Sequence, residues 1–127
     1  MITSSLQDYL EIIYNKTRDG SVIKAIDIAR EFNISRASVS EALYRLAQMG
    51  LINYEPRKNI DITKEGIKEA SLVAKKHEIL FNFFNQVLKV EEKSASDNAC
   101  RIEHVIDQEI IEKIEKHTKE IKKEAYD

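Results

Sequence analysis

The sequence predicts a mainly α-helical fold with one small β-hairpin. Apolar residues recur every three or four positions through most of the chain, which is the spacing of helices that bury one face. The 127 residues include only one proline and three glycines, so few tight turns are expected. One segment, residues 51–63, changes to the two-residue period that is typical of strands.

Three helices are predicted in the first fifty residues. The first covers about 4–18 and the second about 24–32. Ser35 is a favourable N-cap for a third helix that runs to Met49, and Gly50 follows where helices often end in a left-handed residue. The second and third helices are separated by a three-residue break, so they form a helix-turn-helix pattern.

A β-hairpin is predicted directly after the third helix. Its strands cover 51–54 and 60–63, and the turn at 55–59 contains the only proline. Arg57 and Lys58 lie at the tip of this turn. A hairpin in this place is the wing of a winged helix-turn-helix.

The remainder of the chain is predicted to be all helical. A long helix is expected over about 63–90 and a second over 94–105. A last helix is expected after Asp107 as its cap, with four inward residues: Ile110, Ile111, Ile114 and Ile121. We therefore expect two domains: a winged-helix domain over 1–63 and a helical domain over 64–127.

The third helix has the composition of an element that enters the DNA major groove. Small side chains at its start let the backbone approach phosphates and bases, and the N-terminal amides attract anions. The alternative is a pair of packed helices of the kind found in many small bundles. The candidate DNA-binding residues are Ser35, Arg36, Ala37, Ser38, Ser40, Tyr44, Arg57 and Lys58.

The overall charge argues against DNA binding by charge alone. The formal net charge is −2 and the pI is about 6.0, whereas nucleic-acid-binding domains are usually basic. If the protein binds DNA, we expect a homodimer that places a few cations accurately. No apolar run reaches the roughly 18 residues of a membrane span, and no secretion signal is present at the start, so a cytoplasmic location is expected.

Several polar residues are not explained by amphipathic helices. Cys100, Glu103 and His104 stand at i, i+3 and i+4, which places them on one helix face, and together they form a transition-metal ligand set. The alternative is a buried thiol beside a surface Glu-His pair. Asp8 and Glu11 form an i, i+3 pair that also suits the dipole of a helix start. Taken singly, His77 is more typical of a structural group than of a metal ligand, and His117 is expected to be exposed.

These features together resemble the metal-dependent repressors typified by the diphtheria toxin repressor and the manganese transport regulator. The matching segments are 6–14, the winged helix through 61–66, Lys76-His77, and Asp97-Asn-Ala-Cys-Arg-Ile-Glu-His-Val105. The resemblance implies a helical dimerisation domain and a metal-dependent repressor of metal-uptake genes that binds a palindromic operator. It implies as metal ligands Asp8, Glu11, His77, Cys100, Glu103 and His104. It also implies that the SH3-like third domain of longer members is absent.

The sequence departs from both subgroups of this family. Manganese regulators carry glutamate at the position of Cys100, and iron-responsive members carry methionine at the position of Asp8. The polar ligands of the iron-type ancillary site are replaced by Phe81 and Ser96. Both one-metal and two-metal sites remain open. The thiolate favours Fe(II) over Mn(II), whereas the carboxylates also suit Mn(II). We therefore expect the bound metal to be Fe(II) or Mn(II).

Three other functions are compatible with parts of the sequence. A winged-helix regulator could instead sense redox state or a small molecule through Cys100. An enzyme could use Cys100 and His104 as nucleophile and base, but no glycine-rich oxyanion loop is near them in the sequence. A purely structural dimerisation module would leave the basic wing and the serine-rich helix start without a role.

Overall fold

The computed structural model of the chain describes residues 4–126 and confirms the mainly α-helical fold with a small hairpin. It divides into two compact units, one through Ser71 and one from Leu72. In chain order the elements are α1 (Ser4–Thr17), α2 (Ala25–Glu31), α3 (Arg36–Gln48), β1 (Ile52–Asn53), β2 (Asp61–Ile62), α4 (Lys64–Asn82), a π-helical turn (Phe83–Val87), α5 (Glu92–Ile102) and α6 (Gln108–Tyr126).

The first unit packs α1, α2, α3 and the hairpin around one apolar core. Leu10 and Ile13 of α1 are almost completely buried, as are Leu43 and Leu46 of α3. Each such side chain contributes about 1.5–3 kcal/mol through removal of its surface from water. Because α3 buries this stripe, its opposite face is left at the surface.

The ends of α3 form as the sequence predicts. The hydroxyl of Ser35 accepts a hydrogen bond from the backbone N–H of Ser38 at 3.1 Å, which caps the first turn. Gly50 follows the helix with φ +76°, a left-handed conformation that glycine adopts without strain. Asn33 in the turn before α3 is also left-handed, with φ +53°. The helix-turn-helix is therefore fixed at both ends of its second helix.

The hairpin strands are shorter than predicted. The antiparallel ladder pairs only Ile52 with Ile62 and Asn53 with Asp61. The flanking residues make their backbone hydrogen bonds elsewhere: Leu51 N–H donates to Leu46 O at 3.0 Å, and Ile60 N–H donates to Ile23 O at 2.8 Å. These bonds attach the hairpin to α3 and to the segment that precedes α2.

The second unit has a smaller apolar core. Ile79 and Leu80 of α4, Ala99 of α5 and Ile111 of α6 are its buried residues. The long predicted helix over 63–90 is divided, because α4 gives way to the π-helical turn. Lys89 then ends the segment with φ +59°. Helical periodicity alone contains no signal for this change of winding.

Two predictions for the last helices were wrong. The α5 helix begins at Glu92 and ends at Ile102, so Glu103 and His104 lie in the following turn and not on the helix. Ile110 is 46% exposed, although it was predicted to face inward with three other isoleucines of α6; of these, Ile111 is buried, and Ile114 and Ile121 are half-buried. His117 is exposed, as predicted. None of the helices among the described residues has both the length and the apolar composition of a membrane span.

Candidate metal centre and nucleic-acid interface

Four of the six predicted metal ligands lie together in the second unit. His77 projects from α4, and Cys100 stands in the last turn of α5. Glu103 directly follows α5, and its backbone N–H still donates to Ala99 O at 2.9 Å. His104 is the next residue along the chain. This helical turn beyond α5 keeps Glu103 near Cys100 although the regular helix has ended.

Glu103 lies between the two histidines. Its Oε2 is 2.8 Å from Nδ1 of His77, and its Oε1 is 3.5 Å from Nε2 of His104. The side chain of Glu103 is only 1% exposed, and that of His104 only 8%. An isolated buried carboxylate is costly, because the protein interior solvates charge poorly. The two imidazoles therefore stabilise the carboxylate where it lies.

Cys100 completes a set of three donors with His77 and Glu103. The thiol is not in a disulfide, and its Sγ is 3.6 Å from Nδ1 of His77. One ligand atom from each of these residues lies within 4.8 Å of the others. Two bonds of about 2.0–2.3 Å from one ion span at most roughly 4.6 Å, so this spacing is close to that of a metal site. Imidazole, thiolate and carboxylate suit a first-row transition metal.

The other two predicted ligands lie in the first unit. Asp8 and Glu11 both project from α1, three residues apart, so they share a face of that helix. Asp8 is exposed and Glu11 is half-buried.

Lys76 makes a contact in this region that the sequence does not predict. The ammonium group of Lys76 donates to the carbonyl oxygen of Ile106 at 3.0 Å. This bond ties α4 to the turn that carries Glu103 and His104. The sequence showed Lys76 only as the neighbour of His77, and no local pattern indicated its distant partner.

The exposed face of α3 presents the predicted DNA-reading residues. Arg36, Ala37, Ser38 and Ser40 are all exposed, and Tyr44 is 60% exposed. In addition to its bond with the Ser38 backbone, the Ser35 hydroxyl lies 2.8 Å from the Ser38 hydroxyl. Ser35 therefore serves first as the helix cap. The tyrosine hydroxyl accepts from Gln48 Nε2 at 3.0 Å.

The wing tip is exposed and carries two cations. Lys58 pairs with Glu55 at 2.7 Å. Arg57 adopts φ +68°, a left-handed conformation that is uncommon for a residue with a side chain. Glu55 thus partly offsets the charge of Lys58. Arg57 extends from a left-handed backbone position at the tip of the wing.

Two family models match nearly the whole chain. One, described as "Iron dependent repressor, N-terminal DNA binding domain", matches residues 1–60. The other, described as "Iron dependent repressor, metal binding and dimerisation domain", matches residues 63–126.

Individual relatives agree with these matches. An uncharacterized HTH-type transcriptional regulator of Methanocaldococcus jannaschii is 35% identical over 114 residues, which cover 89% of this chain and 91% of that protein. The transcriptional regulator MntR of Escherichia coli is 33% identical over 107 residues, 84% of this chain and 68% of that protein. The solved structure of the manganese regulator SloR superposes with a TM-score of 0.78 at 26% identity. That superposition covers 91% of this chain and 54% of SloR, so the chain spans about half of that structure.

Proposed function

The chain belongs to the iron-dependent repressor family, and from that premise we propose that it is a transcriptional repressor that binds DNA as a homodimer when Fe(II) or Mn(II) is bound. Its targets are genes of metal uptake, and it acts in the cytoplasm. It is a transcriptional regulator and not an enzyme; the named relatives are also described as transcriptional regulators.

One observation carries the metal part of this proposal. His77, Cys100 and Glu103 come from α4, from α5 and from the turn after it, yet their donor atoms lie within 4.8 Å of one another. The hydrogen bond between His77 and Glu103 accounts for two of these side chains, but it gives the thiol of Cys100 no role, so the three donors have no common structural role. A cation gives them one, since all three donors bind metal through a lone pair.

Each ligand has a distinct part in the proposed site. When bound, the ion supplies two positive charges that offset the carboxylates. Glu103 is held by its histidine neighbours before any ion binds, so little reorganisation is needed. Cys100, the most exposed of the cluster, favours Fe(II) over Mn(II). Asp8 and Glu11 are hard oxygen donors that favour Mn(II), and they remain proposed ligands.

The DNA side of the proposal uses α3 and the wing. Arg36, Ser38 and Ser40 are exposed at the start of α3, where a recognition helix meets base edges and phosphates. The dimer presents two such helices to half-sites about 34 Å apart, or a multiple of that spacing. Arg57 and Lys58 contact the flanking backbone. Because the chain has a net charge of −2, one copy alone binds weakly.

Metal and DNA binding are thermodynamically coupled. Coupling between two ligands is typically about 1–3 kcal/mol, which corresponds to roughly 5–150-fold in affinity. We therefore expect the metal-free protein to bind operator DNA weakly and not to lose binding altogether. By reciprocity, operator DNA raises the metal affinity by the same factor.

The test is an anaerobic titration of a palindromic DNA fragment, selected from random sequences by the metal-loaded protein. Wild-type protein should bind it roughly 5–150-fold more tightly with Fe(II) or Mn(II) than with chelator. Glu103→Gln should lose this difference, and Glu112→Gln, an exposed glutamate of α6, should keep it. Equal affinity of the wild type with metal and with chelator would overturn the proposal.

A further arm distinguishes the redox alternative. A regulator that senses oxidation through Cys100 would release DNA on treatment with peroxide and would be indifferent to chelator. The proposed metal sensor responds to chelator under strictly reducing conditions.

A further inference from the structure

A cationic notch lies beside the recognition helix in the first unit. Lys24, Arg36 and Arg57 line an open cleft of about 430 Å³, together with Ser40, Tyr54 and Pro56. The three cations come from three different elements: the residue that precedes α2, the start of α3, and the wing tip. No sequence pattern indicated that Lys24 would join the other two.

The position of Lys24 is fixed by its backbone. Its N–H donates to Oδ2 of Asp27 at 2.9 Å, and its carbonyl oxygen accepts from the Asp27 N–H at 3.0 Å. The preceding residue, Ile23, accepts the hydrogen bond from Ile60 at the base of the wing. Lys24 is thus anchored to α2 and held next to the hairpin, while its side chain stays exposed.

None of the three notch cations has an ion pair within the described part of the chain. Other cations of the first unit do: Lys16 pairs with Glu31, and Arg45 pairs with Glu41. Asp27 is occupied by the Lys24 backbone. Unpaired cations that face one another in a cleft repel, so this arrangement favours an anionic occupant.

A second cleft continues the positive surface along the wing. Its lining is Lys24, Arg57, Lys58, Asn59 and Asp61, over about 490 Å³. One carboxylate is thus outnumbered by three cations, of which only Lys58 has an acidic partner. The positive surface is therefore an open track beside α3 and not a closed pocket, which suits a polyanion better than a small free ion.

We propose that this notch binds a phosphate of the DNA backbone, with Lys24 as a contact that joins the recognition helix and the wing on one strand. The inference rests on the proposed function, since it assigns a further contact to the same DNA complex. The phosphate contact positions the duplex and does not read its sequence. Lys24 therefore adds affinity for any duplex, whereas α3 recognises the operator sequence.

The salt dependence of DNA binding tests this assignment. Neutralising one phosphate contributes a slope of about −0.9 to the plot of log K against log salt. A dimer has two notches, so Lys24→Gln should reduce the magnitude of the slope by about 2, for operator and for random-sequence DNA alike. Lys24→Arg should restore it. Lys68→Gln, which removes an exposed charge of α4 away from the notch, serves as the matched control and should leave the slope unchanged.

The outcomes separate this inference from the proposed function. If the metal-loaded wild type binds DNA but Lys24→Gln keeps the wild-type slope, the notch assignment is wrong and the repressor proposal stands. If the wild type shows no metal-dependent binding, the proposed function itself fails. If inorganic phosphate competes with DNA at the wild-type protein but equally at Lys24→Gln, the anion site lies elsewhere, which also overturns the assignment.

Discussion

Nδ1 of His77 lies 2.8 Å from Oε2 of Glu103, and this contact joins α4 to the turn after α5 at a carboxylate that is almost completely buried. Glu103 is the only charged residue buried in the described part of the chain. The pair therefore has two roles: it makes the burial of Glu103 tolerable without metal, and it holds two of the three clustered donors in place.

The first prediction concerns the metal-free protein. His77→Ala should lower the free energy of unfolding by about 1–3 kcal/mol, because it takes a close hydrogen-bond partner from a buried carboxylate. The double variant with Glu103→Gln should recover part of the lost free energy of unfolding, because burial of a neutral amide without that partner costs less than burial of a charge. Thermal unfolding in chelator measures both. His117→Ala, at an exposed histidine, is the control and should be neutral. If His77→Ala is also neutral, the contact contributes no stability.

The second prediction concerns metal preference. Cys100→Ser removes the only thiol of the sequence, so any thiolate-to-metal absorption must come from this residue. With Co(II) as a probe, wild-type protein should show a near-ultraviolet sulfur-to-metal absorption that the variant lacks. The variant should lose affinity for Fe(II) and Co(II) more than for Mn(II), because Mn(II) gains less from a soft ligand. A uniform loss for all three ions would show that Cys100 does not set the preference.

The third prediction assigns a positioning role to Lys76. Its hydrogen bond to Ile106 O holds the turn that carries two of the proposed ligands, Glu103 and His104. Lys76→Met should weaken Co(II) binding by about 10-fold, as loss of a residue that orients ligands commonly does. The Co(II) spectrum at saturation should be unchanged, because the ligand set is unchanged. Lys75→Met, at the exposed neighbour, should have no effect on affinity. An altered spectrum in Lys76→Met would mean that the ligands themselves have changed.

The first unit was largely predictable because its signals are local. Ser35 caps α3 through Ser38, three residues away, and Gly50 takes the left-handed conformation just after the helix. The apolar stripe of α3 follows from helical spacing alone. Such features need only a few neighbouring residues, so a single sequence contains them.

The features that the sequence did not predict depend on contacts between residues that are far apart in the sequence. The lengths of the wing strands are limited by bonds from Leu51 and Ile60 to residues outside the hairpin. Lys24 lies next to the wing because the preceding residue, Ile23, accepts a hydrogen bond from Ile60. The burial of Glu103 likewise depends on α4, which is about 26 positions earlier in the chain. Spacing placed Glu103 near Cys100, but only the family resemblance added His77 to the predicted ligands.

The fourth prediction concerns Gly66, which lies buried in the first turns of α4. A Cβ atom there would overlap the carbonyl oxygen of Leu51 and would stand 2.8 Å from Cγ1 of Ile62. The Leu51 oxygen already accepts from Thr63 N–H at 3.1 Å, so it cannot move without loss of that bond at the end of the wing. Gly66→Ala should therefore destabilise the first unit by about 1–3 kcal/mol, as overpacking does, although alanine is the better helix former. Glu65→Ala, one position earlier and exposed, should be nearly neutral in the same denaturant titration. If Gly66→Ala is as stable as Glu65→Ala, the close approach of α4 to the hairpin is not required by the fold.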